Sequence, residues 1–222
     1  MSPEEKPIAD FNRLALVYRW LEYLSFGPFL WNCRVRLLPS IQNRKHALVL
    51  GDGDGRFTAR LLKANPAIRV TSVDGSAAMV AAQRRAAGID RDRLFAQVGD
   101  VREWKAEESA QFDLIVTHFF LDCLSGEEIR ALAGRIGLAV PQDALWLVSE
   151  FAIPSGAFGR FVALPVVSLL YLVFGGLTGL RIRALPDYGS ALRAAGWTLR
   201  RENLLLNGLL TSQLWEREDG RD

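Results

Sequence analysis

Residues 47–57 read Ala-Leu-Val-Leu-Gly-Asp-Gly-Asp-Gly-Arg-Phe, and this stretch decides the fold. A short apolar run that stops at glycines is the pattern of a parallel strand buried on both faces. The residues after Gly55 predict a helix over 56–64, closed by Asn65-Pro66. Strand, glycine turn and helix together form the opening unit of an α/β sheet.

The same alternation continues outward from this unit. Strands are predicted over 68–73, 94–98, 112–117 and 144–151. Ser76 caps a predicted helix over 77–87, which Gly88 stops. Ser125-Gly126-Glu127-Glu128 is a capping box for a helix running to about 138. Asp187 caps a helix over 188–195 that Gly196 ends. Two last strands, 197–206 and 209–216, meet at the hairpin turn Asn207-Gly208. Upstream, residues 11–38 show helical spacing at Leu14, Val17, Tyr18, Leu21 and Leu24, broken at Gly27-Pro28. The expected fold is α/β: a Rossmann-like, seven-stranded, mostly parallel sheet with a C-terminal antiparallel hairpin, N-terminal helices and an apolar cap segment. One domain over 1–222 is expected: helical cap 1–45, ligand-binding core 46–153, apolar cap insertion 154–186, and last helix with closing hairpin 187–218.

Composition removes several function classes. Half of the 222 residues are apolar and 23% are charged, enough for a sizeable core and too ordered a mixture for a disordered chain. Lys plus Arg total 27 against 25 acids, a net charge of +2, without the basic excess of a nucleic-acid binder. Two cysteines, Cys33 and Cys123, and two histidines, His46 and His118, give too few ligands for a disulfide framework or a zinc site, and no metal is expected. Residues 1–10 are polar, with no apolar signal core, which sets a cytoplasmic expectation.

Open α/β sheets bind ligands beyond the carboxyl ends of their strands. The first such end carries Gly51, Gly53 and Gly55, which allow a tight turn and close backbone approach, followed by the N-terminus of a helix. The spacing is G-x-G-x-G. A dinucleotide fingerprint would need its third glycine at Arg56, and no Gly-Lys-Ser/Thr of a P-loop follows. Asp52 and Asp54 would repel a pyrophosphate, so the loop suits a ligand that is not a polyanion. Asp74 ends the second strand, where a carboxylate can accept from ribose hydroxyls. Asp100 ends the third, where it either accepts from an exocyclic amine or caps a helix beginning at Val101.

With these features together the chain resembles the class I S-adenosylmethionine-dependent methyltransferase family. The resemblance spans about 47–216 and rests on ALVLGDGDGRF, SVDGSAAM, QVGDV and FDLIVTHFFLDCLS, with GWTLRRENLLLNGLLTSQLWER similar to the family's closing strands. It implies S-adenosyl-L-methionine as cofactor. Gly51, Gly53 and Gly55 would back its methionine part, Asp74 its ribose and Asp100 its adenine with Met79 near it, and Asp52, Gly75 and Val101 are further candidate cofactor contacts. One position departs: the acid often found two residues before the first glycine is Val49 here, and Asp52 or Asp54 would have to substitute.

The end of the fourth strand would face the transferred methyl, bringing Thr117, His118, Phe119 and Phe120 near it. His118 is the candidate general base, with cofactor contact and a structural role as its alternatives. Phe119 and Phe120 offer aromatic faces to a sulfonium, or else pack in the core. Asp122 reads as a surface acid next to a helix, with substrate contact as the alternative. Cys123 reads as a small buried filler. Tyr18, Phe120 and Tyr171 are the candidate substrate contacts, Tyr18 by its similarity to a family position that closes over the cofactor. Residues 161–180 lack any charge and carry Val166, Val167, Leu169, Leu170, Tyr171 and Phe174. They read as a lid over a small hydrophobic acceptor, with a membrane-surface helix serving a lipid-like acceptor and a true span as alternatives. A non-catalytic cofactor-binding protein is the remaining alternative, and the acceptor atom and oligomeric state stay open.

Overall fold

The computed structural model describes residues 26–105, 111–178 and 185–218. Its centre is a seven-stranded sheet: β1 (His46–Leu50), β2 (Arg69–Asp74), β3 (Leu94–Val98), β4 (Leu114–His118), β5 (Leu145–Phe151), β6 (Trp197–Leu205) and β7 (Leu210–Arg217). The spatial order is β3-β2-β1-β4-β5-β7-β6. Strands β1 to β5 pair in parallel, and β7 runs antiparallel to both β5 and β6. The turn between β6 and β7 passes through Leu206 and Asn207 at φ 49° and 53° and Gly208 at 87°, left-handed geometry in which Asn and Gly are the least strained residues.

Among the described residues six α-helices flank the sheet: α1 (Phe29–Val35), α2 (Arg56–Ala64), α3 (Ala77–Ala87), α4 (Gly126–Ala139), α5 (Leu164–Thr178) and α6 (Tyr188–Ala194). Alternate side chains of each central strand enter opposite cores, which is why the strands read as unbroken apolar runs. Leu48 and Leu50 of β1 meet Ile129, Leu132 and Ile136 of α4 and Leu192 of α6. Ala47 and Val49 meet Phe57, Leu61 and Leu62 of α2 on the other face. The departure noted at Val49 is therefore structural, since that side chain is buried in the second core.

Three caps start helices where the sequence placed them. Ser76 accepts from the Met79 N–H, Ser125 and Glu128 form a reciprocal capping box, and Asp187 accepts from the Ser190 N–H. The expected helix after Asp100 is instead a single turn: its carboxylate accepts the Arg102 N–H at 2.9 Å and its carbonyl accepts from Glu103 and Trp104.

The chain runs from β1 outward to β3 and then returns to β4 on the other side of β1. This reversal opens the carboxyl edge between β1 and β4, where open α/β folds hold ligands. Leu50 pairs with Thr117 across that boundary. The glycine loop after β1 and the aromatic residues after β4 are thus neighbours.

Candidate active site

The glycine loop is built differently at each glycine. Gly51 and Gly53 lie at φ 67° and 64°, which favours a residue without Cβ. A Cβ on Gly51 would fall within 2.8 Å of three carbons of the Phe120 ring, and one on Gly55 would meet the Gln83 Cα at 2.6 Å. A Cβ on Gly53 would meet nothing within 4 Å. Gly51 and Gly55 are therefore glycines because the protein's own residues press on them. Only Gly53 presents bare backbone to open space.

Asp74 faces this loop. One carboxylate oxygen accepts the Gly53 N–H at 3.2 Å and the other accepts the Ser76 N–H at 3.0 Å. Burial pushes its pKa up, and the two backbone hydrogen bonds oppose that shift. Each oxygen keeps a lone pair for a further donor. Gln83 of α3 buttresses the same loop, its Nε2 donating to the Gly53 carbonyl at 3.1 Å, while its buried Oε1 lacks a partner. Gly75 lies exposed just beyond Asp74, and Met79 is buried in the first turn of α3. Of the two loop acids, Asp54 is taken by Arg56 at 2.9 Å. Asp52 accepts the Thr58 N–H at 3.0 Å, and desolvation lifts its pKa to about 6 against the opposing hydrogen bonds from Thr58 and the charge of Arg34. Asp100 pairs with the Arg102 guanidinium at 3.3 Å.

A bare backbone at Gly53, a carboxylate with free lone pairs at Asp74 and an orphaned amide oxygen at Gln83 fit a nucleoside-bearing ligand with hydroxyl and N–H groups. The cofactor that the sequence implies is compatible with this donor and acceptor set.

After β4 several expectations change. Thr117 is fully buried, and its hydroxyl accepts from Trp146 Nε1 at 3.0 Å. Its place is inside the core and not against a ligand. The Val101 side chain likewise lies in the core with Leu50 and Val73. The His118 ring packs edge-on against Phe57, with centroids 4.3 Å apart, and neither ring nitrogen reaches solvent or has a partner. Burial, with a smaller contribution from the Arg34 charge, pushes its pKa well below 6.5. A ring sealed in this way cannot reach an acceptor proton, so the base role expected of His118 does not fit its placement. Phe119 turns away at φ 51° into a small core with Leu30, Cys33 and Leu210, and Arg34 of α1 lies 5.3 Å from its ring centroid. Its aromatic face receives a guanidinium rather than a sulfonium. Phe120 alone of the four covers the crevice, over Gly51.

The structure assembles a cluster that the sequence reading missed. Glu150, near the end of β5, is fully buried. Its Oε1 accepts the N–H groups of Phe120 and Leu121 at 3.0 and 2.8 Å, and its Oε2 has no partner. One side chain thereby fixes the loop that carries Phe120. Asp122, read as a surface acid, is instead 92% buried and accepts from the Tyr171 hydroxyl of α5 at 3.3 Å. Desolvation lifts the Asp122 pKa to about 6, while hydrogen bonds from Cys123 and Tyr171 oppose it. Desolvation and the Asp122 charge drive Glu150 well above the usual carboxylate range. The Cys123 thiol, raised by burial, points at Asp122. The one sequence signal for Glu150 was an acid within the otherwise apolar run of β5. Tyr18 lies outside the described residues, and among those described no group of three or more His, Cys, Asp and Glu could hold a metal ion.

Comparison with known proteins bears on the family and the fold. Residues 48–143 match the family model of the methyltransferase domain. A trans-aconitate 2-methyltransferase of Escherichia coli O1:K1 is 36% identical over 133 residues, covering 56% of this chain and 50% of that protein. The chain spans about half the length of the curated relatives it matches. A putative O-methyltransferase structure from Nostoc punctiforme superposes with a TM-score of 0.73 at 17% identity, covering 98% of this chain and 64% of the other. A TehB-like S-adenosylmethionine-dependent methyltransferase from Corynebacterium glutamicum gives 0.62 at 16% identity, covering 93% of this chain and all of the other. The sequence match and the sheet order agree: residues 48–143 are similar to the methyltransferase domain, and the fold is the one shared by these solved methyltransferases.

Proposed function

We propose that the protein methylates a small, largely apolar acceptor that carries a neutral hydrogen-bond donor. The observation that carries this reading is Asp74 held against the bare backbone of Gly53 at the β1/β4 reversal. Asp74, Gly53, Gly75, Met79 and Asp100 would hold S-adenosylmethionine, which when bound supplies an electrophilic methyl carbon on a sulfonium. The chain's own task is then to orient the acceptor, exclude water and take its proton.

Asp122 is the residue we assign to the proton. It is buried beside the cap, it faces Tyr171, and a carboxyl that titrates at about 6 is a poised base at neutral pH. Glu150 sets the position of that loop through the Phe120 and Leu121 amides. The small acceptor named in the curated relatives supports a small acceptor here. A buried, ionised Asp122 disfavours one bearing several carboxylates, because like charges in a dry site repel strongly.

Calorimetry with S-adenosylmethionine and S-adenosylhomocysteine tests the cofactor part: micromolar binding of both is expected, and NAD binding without either would refute it. Methyl transfer from labelled cofactor to a panel of neutral phenols and of tricarboxylates tests the acceptor part. Transfer confined to the tricarboxylates would overturn the role given to the acids while leaving the cofactor reading intact.

A further inference from the structure

The cap is a helix with two different faces. A π-helical turn, Gly159–Ala163, leads into α5. Ala163 and Val167 face inward onto Leu209, and Tyr171 reaches Asp122. The outward face is just as apolar. Phe161, Leu164, Leu169 and Leu172 are 71, 46, 62 and 74% exposed. An apolar patch of this kind on a folded surface marks a contact site.

Three properties identify what covers it. The stretch Leu164–Thr178 has 15 residues, about 22 Å at 1.5 Å per residue, against the roughly 30 Å of a bilayer core. Among the described residues no helix is long and apolar enough to cross a membrane. The apolar outward face of α5 suits a position along a surface. Second, residues 151–186 contain no Asp or Glu, and their only charges are Arg160, Arg181 and Arg183. Third, the Arg160 guanidinium lies 5.6 Å from the Phe161 ring centroid, so a cation sits at the edge of the apolar face. Two copies meeting through this face would bring Arg160 of each against a segment that carries no acid of its own. An anionic surface with an apolar interior satisfies both the charge and the leucines.

We infer that the outward face of α5 and the turn before it rest on anionic lipid. The inner face of the same helix carries Tyr171, so the surface that touches lipid is one helix diameter from the acids of the candidate site. An apolar acceptor dissolved in the membrane would then enter beside the cap. This inference goes beyond the proposed methyl transfer and does not depend on it.

Vesicle co-sedimentation of the full chain tests it, with phosphatidylcholine vesicles containing or lacking phosphatidylglycerol. Binding is expected on the anionic vesicles and reduced by salt. Leu169→Gln with Leu172→Gln should weaken that binding by at least about tenfold, since two exposed leucines no longer enter the interface. Arg160→Glu should weaken it on anionic vesicles and leave phosphatidylcholine unchanged. Both variants should retain their melting temperature and their affinity for S-adenosylhomocysteine, because none of these side chains enters the core. A protein that stays in the supernatant with anionic vesicles overturns the inference. So does a concentration-dependent dimer that the leucine substitutions abolish, which would assign the face to a second copy. Undiminished vesicle binding by the leucine variant would place the lipid contact elsewhere and overturn it equally.

Discussion

Alanine at Gly51 and alanine at Gly53 are the same chemical change at two left-handed positions two residues apart, and they should differ in kind. Both introduce a Cβ at φ near 65°, which costs roughly 1–2 kcal/mol for an L-residue. At Gly53 that is the whole stability penalty, because nothing lies within 4 Å of the new atom. At Gly51 the new atom falls within 2.8 Å of three Phe120 ring carbons. Overpacking of this kind adds roughly 1–3 kcal/mol, for a total of roughly 2–5 kcal/mol. Phe120 has little freedom to retreat, since Glu150 holds its backbone N–H at 3.0 Å. Urea denaturation of Gly51→Ala, Gly53→Ala, Phe120→Ala and the double variant Gly51→Ala/Phe120→Ala reads these terms. The double variant should recover about 1–3 kcal/mol relative to the sum of its singles. Calorimetry with S-adenosylhomocysteine should show the converse order, with Gly53→Ala losing affinity because its Cβ occupies the ligand's approach. Additivity of Gly51→Ala and Phe120→Ala to within about 0.5 kcal/mol would refute the packing account. Unchanged ligand affinity in Gly53→Ala would refute the approach through that position.

Three further outcomes follow from the same geometry. Asp74→Asn should lower affinity for S-adenosylhomocysteine by about 1–3 kcal/mol in calorimetry, the scale of a lost charged hydrogen bond. Asp122 carries a linkage effect: its folded pKa of about 6 lies above the unfolded 3.8, so the folded state holds a proton that the unfolded state releases. Its contribution to stability is full below pH 4, falls between pH 4 and 6 and is lost above, a difference of at most about 3 kcal/mol. Asp122→Asn should accordingly raise stability at pH 7.5 relative to wild type, lose that advantage at pH 4 in parallel denaturation curves, and abolish methyl transfer. Ser125→Ala removes the acceptor for the Glu128 N–H and should destabilise by about 1 kcal/mol in urea, with cofactor affinity unchanged.

Local chemistry was enough to set out the fold. The strand expected at 47–50, the stops at Asn65-Pro66 and Gly88, the caps at Ser76, Ser125 and Asp187 and the turn at Asn207-Gly208 are each specified by residues within a few positions of one another, and each lies within a residue of where the sequence placed it. The approach of Asp74 to the glycine loop was legible for the same reason. A glycine loop and the acid ending the next strand are successive strand ends of one sheet, so chain order already brings Asp74 to Gly53. The acceptor side was not legible. Glu150 meets Phe120 and Leu121 across 30 and 29 positions, Tyr171 meets Asp122 across 49, and Arg34 comes from a helix before the sheet. The strand pattern likewise leaves open which way each side chain after β4 points. His118 turned into the core against Phe57, and Phe119 toward Arg34, because β4 is covered on both faces and alternate residues must enter opposite cores. The sequence by itself determined the succession of strands and helices along the chain and which strand ends carry the glycine loop and Asp74. Only the tertiary structure decided which acids are desolvated, Asp122 and Glu150 among them, since burial depends on elements that meet only after the sheet has closed.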